Sequence, residues 1–249
     1  MVSAALNGVF RSLRLYHGST APKAAMDRLY AHVVAPGDLV FDIGAHVGDR
    51  VSSFRRLGAR VVAVEPQPLL VRALRLIHGR DPNVLIVPAA AGDETGDIKL
   101  HINTQNPTVS TVSDDFLIEA GGALGWEGQT WDNAIVVPML TLDRMMAAFG
   151  PPRFIKIDVE GFEDRVLAGL SQGVPALSFE FTTIARDVAR RCIERMAELG
   201  PYAFNVALGE TQRLVFPSGV PATEMIRYLA ELPHAANSGD VYAVAGGSD

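Results

Sequence analysis

The sequence holds one cysteine, Cys192, no tract of lysine and arginine, and no apolar run long enough to span a bilayer. A lone cysteine excludes an intrachain disulfide framework, and its place in a helical pattern over 187–199 suits a packed small side chain rather than a nucleophile. A formal net charge of −6 without a basic block argues against a surface that tracks nucleic-acid phosphates. The first sixteen residues carry Arg11 and Arg14 but not the apolar core of a signal peptide, so no membrane association is expected and a cytoplasmic location follows.

What the chain does have is 249 residues, 48% of them apolar, enough for a sheet buried on both faces. From residue 36 onward, short Val/Ile-rich runs alternate with longer helical patterns, the signature of a parallel sheet covered by helices. Strands are expected over 39–43, 61–65, 84–88, 154–158, 176–181, 203–208 and 241–245. An amphipathic pattern over 24–34, carried by Met26, Leu29, Tyr30 and Val33, predicts a helix within an N-terminal cap of residues 1–35. The stretch at about 93–138 interrupts the alternation and reads as an insertion: a hairpin around an alternating strand over 98–102, then a glycine-rich loop.

The most informative segment is L-V-F-D-I-G-A-H-V-G-D over 39–49, an apolar strand, an acid, and glycines that open a helix. Gly44 and Gly48 allow close backbone approach at the carboxyl end of a strand, where a helix N-terminus offers free amides. The run lacks the third glycine of a dinucleotide site, and Asp42 would repel a pyrophosphate. Asp42 suits a cationic group instead, such as the amino group of a methionine moiety. About twenty residues on, Glu65 ends a second buried strand and is placed to accept both hydroxyls of a ribose. After the third strand, A-A-A-G-D over 89–93 supplies small residues beside an adenine, with Asp93 as acceptor for its amine.

Asp158 and Glu160 lie two apart at the end of the fourth expected strand, so extended backbone would project both to one side, ahead of a turn at Gly161. If the fourth and fifth strands are neighbours, Glu180 comes within about 5 Å of the Asp158 strand, and crowded carboxylates raise one another's pKa. Such a cluster suits a general base, with His46 in the glycine turn as a second candidate. Oxygens of this kind also bind divalent cations, but no strict ligand spacing supports a metal, so metal dependence is possible and not favoured. Phe116, Trp126 and Trp131 of the insertion either stack on a sugar or pin the loop to the core.

Three blocks resemble the FkbM family of S-adenosylmethionine (SAM) dependent methyltransferases: V-F-D-I-G-A-H-V-G-D (40–49), V-A-V-E-P-Q-P (62–68), and L-T-L-D (140–143) followed by F-I-K-I-D-V-E-G-F-E (154–163). The last block is the specific one, and the likeness runs over about residues 36–181. The resemblance implies a Rossmann-like class I α/β fold, with a mostly parallel seven-stranded sheet and helices on both faces. It also implies O-methylation of a small molecule, a sugar or a natural-product scaffold. By position, Asp42, Gly44 and Glu65 would hold SAM, and Asp158 would face its methionine end or the acceptor. Two other readings share these features: a nicotinamide-dependent oxidoreductase, opposed by the missing glycine, and a SAM-binding protein of the same fold without turnover.

Overall fold

The computed structural model describes residues 2–17 and 21–246. The chain runs α1 (Val2–His17), α2 (Ala21–Tyr30), β1 (Leu39–Ile43), α3 (Asp49–Arg56), β2 (Arg60–Val64), α4 (Pro68–His78), β3 (Val84–Val87), β4 (Ala90–Ala91) and β5 (Gly96–Ile102). It continues through α5 (Asp114–Ala120), β6 (Asn133–Leu140), α6 (Leu142–Phe149), β7 (Phe154–Ile157), α7 (Glu163–Ala168), β8 (Ala176–Thr182), α8 (Arg186–Leu199), β9 (Tyr202–Leu208), α9 (Ala222–Glu231) and β10 (Ser238–Ala245).

Every residue of β1 and of β7 is buried, which is why both read as unbroken apolar runs with a single charge in each. The seven expected strands form one sheet in the order β3-β2-β1-β7-β8-β10-β9. Its neighbours are parallel from β3 to β8, and β10 runs antiparallel between β8 and β9. This is the α/β arrangement expected from the motifs. Alternate residues of the strands serve two apolar layers. Phe41, Ile43, Ile155 and Ile157 pack toward α6 to α9, and Val40, Val61, Ala63 and Phe154 pack toward α2 and α3.

Local sequence sets the helix boundaries. Ser113 and Thr141 accept from the backbone N–H of Phe116 and Arg144, capping α5 and α6, and Pro68 opens α4 at a position where no N–H is needed. On α8, Ala189, Cys192, Ile193 and Met196 recur at helical spacing and are buried, so the lone thiol is a core side chain.

The hairpin expected inside 93–138 does not form. β5 pairs antiparallel with β6, thirty residues farther along the chain, and β6 also pairs with β4 to make a separate three-stranded sheet. Between β5 and β6 the chain builds a 3-10 turn (Pro107–Val109) and α5, so the partner of the alternating strand lies beyond the reach of a local turn signal.

Candidate active site

The carboxyl ends of β1, β2 and β7 open into one cleft. β1 and β7 are parallel neighbours, and the turns that follow them meet at the cleft. Gly44 has φ +82°, and a Cβ there would lie 1.8 Å from the carbonyl oxygen of Asp158, so only glycine lets the two motifs meet. Asp42, Gly44, His46, Glu65, Asp158 and Glu160 all line this cleft, together with the small side chains Ala89 to Ala91.

Asp42 and Glu65 are buried, at 1% and 3% exposure, at the ends of the neighbouring strands β1 and β2, where Ile43 stands opposite Val64. The Oδ2 atom of Asp42 has no hydrogen-bond partner among the described residues, so the cleft presents a buried acceptor that lacks a donor. Burial, and then the charge of Asp49, pushes Asp42 up to about 7. Glu65 is held from both sides: its Oε2 accepts from the His46 amide at 2.9 Å and its Oε1 from the Gln67 amide at 2.8 Å. Burial outweighs these two donors and pushes Glu65 up to about 7. Each oxygen keeps a second lone pair, so a fixed carboxylate faces the cleft with acceptor capacity to spare.

Two expected ligand residues lie elsewhere. Gly48 caps α3 and packs against Leu74 and His78 of α4, where a Cβ would meet both at 2.8 Å; its smallness serves helix packing. Asp93 is outside the cleft and pairs with Arg165 at 3.0 Å. The turn after β3 bends away past Ala91, so the alanines reach the cleft and the acid does not.

On the other side of the cleft, β7 and β8 are parallel neighbours with Ile157 opposite Phe179, which brings Glu180 beside Asp158. Carboxylate oxygens of Asp158, Glu160 and Glu180 lie within 4.8 Å of one another. The extended backbone expected over 158–160 is broken: β7 ends at Ile157, Glu160 takes φ +55° and Gly161 +83°. The turn is held by Thr111, whose hydroxyl donates to the Glu160 carbonyl at 2.7 Å, and by Glu163, whose carboxylate accepts from the amides of Val159 and Gly161. A left-handed non-glycine residue costs about 1–3 kcal/mol, and such strain gathers at functional sites.

Beneath the three acids sits Lys156, fully buried, with its ammonium 2.7 Å from Asp240 of β10 and 3.2 Å from Asp158. Burial opposes both charges, but the Lys156 and Arg50 cations outweigh it and hold Asp158 below the ordinary carboxylate range. Asp158 is also at the cleft edge, about a third exposed. Glu160 and Glu180 go the other way: burial, and then the charge of Asp158, pushes both well up. The Lys156–Asp240 pair and Arg50, which also lines the cleft, were not singled out by the sequence. The signal was present: a lone charge within an otherwise apolar buried strand must have a partner.

His46 has φ +48°, and its Nε2 lies 3.5 Å from the Thr108 hydroxyl, on the insertion side of the cleft. Phe116 stacks edge-on with Trp126 at 5.1 Å and Trp131 at 6.5 Å, and the Trp131 indole donates to the Val109 carbonyl. Phe116 also packs on Gly161, so these rings pin the insertion to the strand-end turn.

The Methyltransferase FkbM domain matches residues 42–203, which span this cleft and its acids. The chain belongs to the FkbM methyltransferase family. It is therefore a SAM-dependent methyltransferase. Among solved structures it is similar to a precorrin-6y C5,15-methyltransferase from Geobacter metallireducens, at 12% identity over 90% of this chain and 87% of that one, with a TM-score of 0.46. An O-methyltransferase from Bacillus cereus in complex with SAH is 12% identical over 96% and 91%, with a TM-score of 0.45. The O-methyltransferase TomG from Streptomyces achromogenes is 10% identical over 98% and 90%, with a TM-score of 0.46. Likenesses this remote identify no substrate for the chain. No curated protein matches its sequence significantly. No helix among the described residues is long and apolar enough to cross a membrane.

Proposed function

We propose that this FkbM methyltransferase methylates a hydroxyl oxygen of a small molecule, a sugar or natural-product moiety. The observation that carries the reading is the group of three acids, Asp158, Glu160 and Glu180, at the edge of the cleft that holds Asp42 and Glu65. SAM supplies an electrophilic methyl group on a sulfonium. The chain's own task is to hold the donor, align an acceptor oxygen about 3 Å from the methyl carbon, and take the acceptor's proton.

The cleft residues divide that task. Asp42 offers its unpartnered oxygen to the donor's ammonium, Gly44 lets the donor approach the backbone, and Glu65 accepts from the ribose hydroxyls. Ala89 to Ala91 leave room for the base. Asp158, kept ionised by Lys156, takes the hydroxyl proton, with Glu160 and Glu180 beside it. His46 lines the cleft next to Thr108. A phosphate-rich acceptor such as nucleic acid is disfavoured by the same concentration of acids and by the net charge of −6.

The test is transfer of isotopically labelled methyl from SAM to a panel of glycosides, phenols and aliphatic alcohols, with amines and RNA alongside. Label should enter an ether. Asp158→Asn should lower turnover at least 100-fold while the melting temperature moves by only a few degrees. Label found only on nitrogen or only in RNA would overturn the reading.

A further inference from the structure

Three acids gather at the carboxyl ends of β7 and β8. Carboxylate oxygens from Asp158, Glu160 and Glu180 converge within 4.8 Å; the first two come from the turn after β7 and the third from β8. A hard divalent cation sits roughly 2.0–2.6 Å from each ligand oxygen, so ligands on opposite sides of it stand about 4–5 Å apart, the span found here.

A second observation points to a ligand rather than to crowding. Glu160 is 92% buried by its 8% exposure, and its carboxylate accepts no hydrogen bond among the described residues. The neighbouring Glu163, 2% exposed, is bonded to two amides, whereas no amide among the described residues holds the Glu160 carboxylate, which faces the space shared with Asp158 and Glu180. The charge balance agrees. Around the trio stand Asp42, Glu163 and Asp240, and the nearby cations are Lys156 and Arg50, both already paired with acids.

We infer that Asp158, Glu160 and Glu180 form a binding site for one divalent cation of the Mg²⁺ or Mn²⁺ class, with its remaining coordination positions open to oxygens of the acceptor. An all-oxygen set without His or Cys selects hard cations, and Mg²⁺ characteristically uses a few carboxylates and leaves positions for water or substrate. The sequence carried no such spacing because the ligands come from separate elements. This deepens the O-methylation reading and rests on it for the cation's purpose, but cation binding is measured without any methyl transfer.

The experiment is titration of the full chain with Mn²⁺, read by the loss of the free-ion electron paramagnetic resonance signal, and repeated with Mg²⁺ as competitor. Wild-type protein should bind one Mn²⁺ per chain, displaced by Mg²⁺. Glu160→Gln and Glu180→Gln should each weaken binding at least ten-fold, with thermal unfolding still cooperative. No saturable site in the wild-type chain, or equal Mn²⁺ affinity in two folded variants, would overturn the inference. Methyl transfer to a hydroxyl that persists in chelator would leave the O-methylation reading standing while contradicting the cation's role.

Discussion

Gly44 and Asp158 meet backbone to backbone, the glycine turn of the first motif lying directly on the carbonyl of the third. This contact joins the donor half of the cleft to its acceptor half, and it leaves no room for any side chain at position 44. Gly44→Ala should therefore destabilise the chain by roughly 2–5 kcal/mol, combining left-handed strain with overpacking. Urea unfolding measures it, and a loss under about 1 kcal/mol would mean that the contact between the two turns is loose enough to admit a methyl group.

Lys156 is fully buried and its ammonium contacts both acids, Asp240 at 2.7 Å and Asp158 at 3.2 Å. Lys156→Met should cost about 3–5 kcal/mol by leaving two acids without their counter-charge. Adding Asp240→Asn should restore at least about 1 kcal/mol, because the pair is coupled. Purely additive losses in the double variant would deny the coupling.

Stability should fall as pH rises. Asp42 and Glu65 move from ordinary values of 3.8 and 4.5 to about 7 in the fold. Well below their ordinary values of 3.8 and 4.5 both are protonated whether folded or not, and they have no effect. Between there and 7 the unfolded chain releases protons that the folded chain retains, so folding is opposed by up to roughly 3–4 kcal/mol per group, and the loss is complete above 7. Denaturation of the ligand-free chain at pH 5.5 and pH 8 should give lower stability at pH 8, with the gap narrowed by saturating S-adenosylhomocysteine. Equal stability at the two values would place these acids in a wetter setting.

Much of this was legible because a parallel sheet buried on both faces writes its strands as apolar runs, and the acids that end them stand out: Asp42 and Glu65 announce their strand ends. Glu180 was legible only on the condition that β7 and β8 are neighbours, which the structure satisfies. Asp93 and Gly48 also have the structural uses common to a turn acid and a turn glycine, here an ion pair with Arg165 and contact with α4. The partner of β5 could not be read from a local turn, and Lys156 gains its meaning from Asp240, 84 residues away. Glu65 is more than a ligand-facing acid at a strand end: it is buried and anchors the amides of His46 and Gln67. Removing the whole side chain would therefore disturb the turn as well as the ligand.

That last point selects the most direct measurement: calorimetric titration of S-adenosylhomocysteine into the wild-type chain and into Glu65→Gln, which keeps the volume and one acceptor oxygen. One molecule should bind per wild-type chain, and the variant should bind at least ten-fold more weakly while unfolding at a similar temperature. An unchanged dissociation constant in a folded Glu65→Gln chain would contradict the assignment of this cleft to the methyl donor.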